Sequence, residues 1–239
     1  MQKMLSYVRR ACDDYNMIEE GDNIAVGVSG GKDSVMLLSA LCALRRFYPK
    51  SFSVTAIILD PQFSGLQTDY SEIEKLCDKL SVPLVIKRTH IGQIVFEQRK
   101  EKSPCSLCAR MRRGALHDAA IEAGCKKLAL GHHYNDVVET VVMNLVSEGR
   151  FGCFSPLTYL SRKDIYMIRP LIYVPETEIE AAVKRLELPV VKSKCPADKN
   201  TMRQEIKIRL SEEEKRLPDL SQKLFGALVR SGVDGWSKK

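Results

Sequence analysis

Three stretches of this 239-residue chain carry residue types at spacings that can do chemistry. The first is Ser29-Gly30-Gly31-Lys32-Asp33-Ser34. Paired glycines let a backbone approach an anion with no Cβ in the way. Ser29 and Ser34 add hydroxyls, Lys32 adds a positive charge, and Asp33 offers a carboxylate to Mg2+ or a ribose. The stretch is not a Walker A loop, because Gly31-Lys32 is followed by Asp33 rather than by Ser or Thr, and it is not Gly-x-Gly-x-x-Gly. A plain glycine turn before a helix would need none of these polar groups.

The second stretch is Gly131-His132-His133-Tyr134-Asn135-Asp136. His132 and His133, after a glycine, are candidates for touching the same anion or its nucleoside, and Asp136 falls in the first turn of the helix that follows. A metal site is the other reading, although the spacing is not His-Glu-x-x-His. Glu139 lies where a helix dipole alone favours an acid, so it is not counted in the site.

The third is Cys105-Ser106-Leu107-Cys108, with Cys195 far downstream. Cys-x-x-Cys serves zinc, a redox pair and iron–sulfur centres alike. A structural zinc closes with four protein ligands, and Cys153 or His117 would have to supply the fourth. Three thiolates on a four-iron cluster would instead leave one iron open, and an open iron can bind sulfide. Thiolates suit both metals, so the residues leave the choice open. Directly beyond the pair run Arg110, Arg112 and Arg113, with Arg99, Lys100 and Lys102 before it. Such a cluster suits a nucleic-acid backbone; a solvated helix face is the alternative.

The surrounding pattern supplies the elements that must position these groups. Asn23 to Val28 is a short apolar strand and Val35 to Leu41 a buried helix, so Ser29–Ser34 sits between strand and helix. That layout aims backbone N–H groups and a helix N-terminus at a phosphate. Phe52 to Asp60 is a β-branched strand ending on an acid, which makes Asp60 a candidate for Mg2+ or the ribose. Pro83–Lys87 and Lys127–Leu130 read as further strands, and 68–80, 110–123 and 136–146 as helices. Residues 91–104 read as a helix giving way to a loop. Alternating strands and helices predict an α/β fold with an open, mostly parallel, doubly wound sheet. Ile165–Leu171 is expected as an edge strand, with C-terminal helices over 202–216 and 218–230. The expected division is an N-terminal helix (1–22), a nucleotide domain carrying the cysteines (23–200) and C-terminal helices (201–239), all in one compact unit.

Hydrophobic residues make up 44% of the chain, enough for a sizeable core, and the formal net charge of +7 leans toward a polyanionic partner. No apolar stretch approaches the roughly 20 residues that span a bilayer, and the first residues lack a secretory leader's apolar core. The chain is expected to be cytoplasmic, without a membrane partner. Of its 8 cysteines, Cys12, Cys42, Cys77 and Cys125 fall in apolar periodic segments and are expected in the core.

Together these marks resemble the tRNA 2-thiocytidine synthetase (TtcA-type) family of PP-loop ATP pyrophosphatases. The resemblance rests on Ser29–Ser34, on Cys105 and Cys108 followed by Arg110 and Arg112-Arg113-Gly114, and on Leu130-Gly131-His132-His133. It extends to Ile168-Arg169-Pro170-Leu171 and to Cys195 ahead of Arg203-Gln204. It implies an adenine nucleotide alpha hydrolase-like fold and an enzyme that thiolates tRNA. ATP would be bound by Ser29, Gly30, Gly31, Lys32, Asp33, Ser34, Asp60, Gly131 and His132, with Mg2+. A [4Fe-4S] cluster would sit on Cys105, Cys108 and Cys195, and the tRNA on Arg110, Arg112 and Arg113. Adenylation of a cytidine O2 would make it a leaving group for sulfur held at the open iron. Lys32 and Asp136 are implied as catalytic, as is Lys127, which matches a lysine preceding the Gly-His-His strand end. The sulfur donor would be sulfide or a cysteine desulfurase, and a homodimer is compatible with the sequence. One departure stands out: the family usually carries two consecutive acids after Gly-His-His-x, and here the first is Asn135. Other PP-loop adenylating enzymes, acting on another base or a small molecule, are the alternative, as is a non-catalytic cluster- and nucleotide-binding regulator.

Overall fold

The structure is a computed structural model that describes residues 1–99, 104–192, 194–196 and 202–238. Six strands form one sheet in the order β3-β2-β1-β4-β6-β5. They are β1 (Asp22–Gly27), β2 (Phe52–Asp60), β3 (Leu84–Arg88), β4 (Lys127–Ala129), β5 (Leu157–Leu160) and β6 (Ile165–Ile168). All pairs are parallel except β5 with β6. Ile24, Ala25 and Val26 are all fully buried, so β1 is apolar on both faces, as a parallel strand covered by helices on each side must be.

Helices cover both faces. They are α1 (Gln2–Asp14), α2 (Lys32–Leu44), α3 (Ser71–Leu80), a short α4 (Ile91–Gln93), α5 (Pro104–Glu122), α6 (Tyr134–Glu148), α7 (Glu176–Arg185), α8 (Met202–Arg216) and α9 (Leu220–Ser231). Helix α2 is buried almost all round, as Val35, Met36, Leu37, Leu38 and Leu41 show, because it lies inside the main core. On the other face α5 packs Ala119 and Ala120 against Ile57 and Leu128. The C-terminus joins the main core through Trp236, which is fully buried, donates its Nε1–H to the Phe154 carbonyl at 3.0 Å and meets Tyr15 edge-on. Among the described residues no helix is long and apolar enough to cross a membrane.

The chain leaves β1 outward to β2 and β3, then returns to place β4 on the other side of β1. The connections after β1 and β4 therefore diverge and open a crevice at the carboxyl ends of the strands, where open α/β sheets bind ligands. Both Ser29–Ser34 and Gly131–Asp136 lie at those ends.

Several expectations need correction. Strand β6 is not an edge strand, because β5 pairs with it antiparallel and takes the edge. Helix α5 begins at Pro104 rather than near Arg110, so both Cys105 and Cys108 lie in its first turns. Residues 94–99 form a wide π-helical turn after α4. Lys100 and Lys102 lie outside the described residues.

Lys127 lies at the wrong end of the sheet for catalysis. It opens β4 and is in register with Ile24 near the start of β1, opposite the crevice. Its ammonium is buried on Asp22 at 2.7 Å and Glu19 at 3.3 Å. Its work is to tie the β4 start to the turn before β1. Lys127→Ala is expected to lower stability by about 3 kcal/mol, as breaking a buried pair does, while leaving binding of an ATP analogue unchanged. Urea unfolding together with nucleotide titration checks both halves.

Candidate active site: a basic cleft at the strand ends

The phosphate loop is built from its own hydroxyls. Ser34 Oγ accepts the Ser29 N–H at 3.0 Å and donates to the Gly31 carbonyl at 2.9 Å. Ser29 Oγ lies 3.1 Å from Ser34 Oγ and accepts the Gly31 N–H at 3.3 Å. Gly30 has φ +88°, a left-handed conformation that a Cβ would strain. The loop ends on the first turn of α2, whose leading N–H groups have no intrahelical acceptor and point at whatever anion is bound. The second stretch is held directly against this turn. A Cβ on Gly131 would lie 3.2 Å from the Asp33 carbonyl carbon and the Ser34 nitrogen, both backbone atoms, so a side chain there would push the loop back by a few tenths of an ångström.

Lys32 is held by two carboxylates, Glu176 at 2.9 Å and Asp33 at 3.0 Å. Glu176 is also gripped by Lys207 of α8 at 2.6 Å. Burial would push the Glu176 carboxyl up, but the hydrogen bonds from Lys207 and Lys32 hold it down at about 2. A polyphosphate entering the loop takes over an ammonium already placed at the helix start.

Asp136 has a capping role. Its Oδ2 accepts the His133 N–H at 2.9 Å, while His133 Nδ1 accepts the Asp136 N–H, which closes a capping box at the start of α6. Arg203 reaches its Oδ1 at 3.3 Å. The carboxylate is thus spent on holding the Gly131–His133 turn and α8 together. Asp60 is spent likewise. It is 1% exposed, accepts the N–H groups of Gln62 and Thr68, and orders the turn after β2 rather than lining the crevice.

The crevice itself is a cavity of about 530 Å³. Ser29, Asp33, Ser34, Gly131 and His132 line one side, and Arg112 and Arg113 of α5 line the other. Arg110 is exposed and does not line it. Among the described residues neither Arg112 nor Arg113 has an ion-pair partner, so the wall facing the phosphate loop carries uncompensated positive charge. His132 is held neutral: burial, then Arg169, pushes it down to about 4.

All eight cysteines are thiols. Cys12, Cys42, Cys77, Cys125 and Cys153 are buried, four of them as core residues as expected. Cys105, Cys108 and Cys195 share one neighbourhood. Burial pushes the Cys108 thiol up, Arg112 opposes it, and Cys195 and Cys105 add to the rise. Both fourth ligands for zinc are elsewhere. Cys153 donates to the Val137 carbonyl, and His117, nine residues along α5 from Cys108, is roughly 13 Å further down the helix axis and lies against Met167. Among the described residues no three His, Cys, Asp or Glu close on a single-ion position. Cys105 and Cys195 both lie close enough to perturb Cys108, and three thiolates from two segments are a donor set whose chemistry suits an iron–sulfur cluster.

A PP-loop domain model matches residues 4–214 of the chain. A tRNA-cytidine(32) 2-sulfurtransferase of Syntrophotalea carbinolica is 39% identical over 232 residues, covering 95% of this chain and 88% of that one. The chain belongs to the tRNA 2-thiocytidine synthetase family of PP-loop proteins. The enzyme of the same name from Ralstonia pickettii is 36% identical, with 95% of this chain and 72% of that one covered. Among solved structures, a U34-tRNA thiolase (NcsA) from Methanococcus maripaludis, with its [4Fe-4S] cluster, superposes with a TM-score of 0.78 at 25% identity. That match covers 96% of this chain and 78% of the other.

The family's departure at Asn135 has a local explanation. Asn135 Oδ1 accepts the N–H of Glu176 at 3.0 Å and so caps α7, whose preceding Pro175 has no side-chain acceptor. An amide oxygen does this as well as a carboxylate, without placing a further negative charge beside Glu176.

Glu139, set aside on sequence as a dipole effect, is strongly perturbed in the fold. It is 5% exposed, and burial, then Asp136, lifts it to about 7 against the pull of Arg203. The folded state therefore keeps this proton above pH 4.5, where the unfolded chain has lost it. Glu139 thus contributes a fall in stability of about 2–3 kcal/mol as pH rises from about 4.5 to about 7, which the depressed His132 opposes over much of the same range. Urea unfolding across that range is expected to show the stability of the native chain falling by that amount relative to Glu139→Gln, in which the His132 contribution is shared and cancels. Glu176 and Lys207 are legible only in the fold, since each sits in a segment whose local pattern gives no more than a helix, and Arg169 belongs to a stretch marked by the resemblance without a role of its own.

Proposed function

We propose that this chain is an ATP-dependent tRNA sulfurtransferase that replaces the C2 oxygen of a cytidine, position 32, with sulfur. The observation that carries the reading is the single cleft facing the phosphate loop on one side and Arg112 and Arg113 of the cysteine-bearing helix on the other. The loop amides and Lys32 hold the triphosphate, with Mg2+ neutralising the charge that develops on pyrophosphate. The cytidine O2 attacks the α-phosphorus, and the bond to pyrophosphate breaks. Sulfide then bonds to C2, AMP leaves with the former O2, and the sulfur's proton goes to solvent. When bound by Cys105, Cys108 and Cys195, a [4Fe-4S] cluster supplies an iron position that takes up sulfide. Arg112 and Arg113 hold the RNA backbone over the cleft, and the neutral His132 closes it beside the loop. The sulfur comes from free sulfide or a cysteine desulfurase. The test is incubation of anaerobically purified protein with ATP, Mg2+, sulfide and a tRNA transcript, followed by nucleoside mass spectrometry. 2-Thiocytidine that requires ATP is the expected product; unchanged cytidine with no AMP released overturns the reading.

A further inference from the structure

One cleft residue is used neither by the phosphate loop nor by the thiols. Arg169 follows β6, is 5% exposed and lines the same cavity as Ser29 and Ser34. Its Nη1 donates to the Ser155 carbonyl and to Thr158 Oγ1. Its guanidinium carbon stands 5.0 Å from the Phe154 ring centroid, and His132 stacks on the same ring at 4.7 Å with the planes 35° apart. Its Nε is buried and has no hydrogen-bond partner among the described residues. No carboxylate there pairs with it. Burial, with Arg113 nearby, drags the guanidinium down to about 10 against the opposing pull of Cys153. A buried guanidinium with an idle donor is costly, and such groups persist where a ligand completes them.

We propose that Arg169 reads the target base, its Nε and Nη2 edge donating two hydrogen bonds to N3 and O2 of cytosine while Phe154 and His132 form the platform beside it. This rests on the thiolation reading above. With Nη1 spent on Ser155 and Thr158, the remaining edge is a rigid two-donor fork. Cytosine presents two acceptors, N3 and O2, in one plane. Uracil presents O2 but carries a proton on N3, which would face an N–H and leave the buried donor unpaired. The fork therefore selects cytosine over uracil and fixes the ring with O2 bound. O2 keeps a second lone pair for the α-phosphorus. A phosphate could use two such donors, but the cleft already has a phosphate loop with its own lysine, and the aromatic ring beneath the fork suits a flat base.

The test compares the native chain with Arg169→Lys, each cluster-loaded, on tRNA transcripts carrying C32 or U32. The native chain is expected to favour C32 by about 10- to 100-fold in kcat/KM, the range of one bidentate base contact. In Arg169→Lys that ratio is expected to fall to within a few-fold, with the affinity for an ATP analogue unchanged. Loss of ATP-analogue affinity with the C32/U32 ratio intact would show that the guanidinium holds a phosphate and overturn the proposal. An unchanged ratio overturns it as well. Should Arg169→Lys fail to fold, the native chain on a transcript with 3-deazacytidine at position 32 carries the test: about a tenfold loss is expected, and an equal rate overturns it. If the native chain thiolates neither transcript, the thiolation reading fails by itself, and the relative affinities for C32 and U32 RNA still decide the role of Arg169.

Discussion

Cys108→Ala is expected to abolish sulfur transfer while sparing the nucleotide site. Cys108 is 7% exposed and packs beside Leu59, Ile91 and Val95, with Cys105 one turn earlier on α5 and Cys195 near enough to perturb it. Removing a thiolate from a three-thiolate set should cost more than about 100-fold in 2-thiocytidine formation, the upper end of what even an outer-shell partner of a metal site costs. The brown colour of anaerobically purified protein should go with it. ATP-analogue affinity should stay within about twofold, because the phosphate loop is closed by its own Ser29 and Ser34 bonds and touches none of the thiols. A small buried deletion also lowers stability, so Cys195→Ala, at a less buried thiol, serves as the second variant. Full sulfur incorporation by both would remove the thiols from the site.

Lys32→Ala is expected to remove adenylation, slowing pyrophosphate release by about 10²- to 10³-fold, as loss of one positioned donor to a developing charge does. The fold should tolerate the change. Glu176 loses one ammonium but keeps Lys207 at 2.6 Å, and Asp33 is partly open to solvent. Pyrophosphate release measured with saturating tRNA checks the rate, and thermal unfolding checks the fold. A rate within a few-fold of the native chain would mean that Lys32 only pairs with Glu176 and Asp33.

The alternation of apolar runs and helical periodicity was enough for the open parallel sheet, and strand–glycine–helix context was enough for the phosphate loop. Both signals are local, so a linear reading finds them. Cys105, Cys108 and Cys195 could be grouped by residue type, with the family resemblance, before any contact between them was known. Where sequence reasoning went wrong, the cause was orientation. Lys127 sits only a few residues from Gly131 along the chain, yet a three-residue strand separates the two ends of the sheet. Asp60 and Asp136 stand at strand and helix ends where a carboxylate can serve either a ligand or the backbone, and here the backbone N–H groups claim both.

The sequence by itself determined which chemistries meet in this protein: a phosphate loop, a thiol trio and a basic helix. It did so through the motifs taken jointly and the family they resemble, because each alone, the Cys-x-x-Cys pair above all, serves several chemistries. Only the tertiary structure decided who faces the cleft. Parallel strand register placed Lys127 at one end and Ser29 at the other. Long-range packing then brought Glu176 and Lys207 to Lys32, and left Arg169 with an idle donor against Phe154. Those pairs lie from 15 to 144 residues apart along the chain, and no local pattern encodes them.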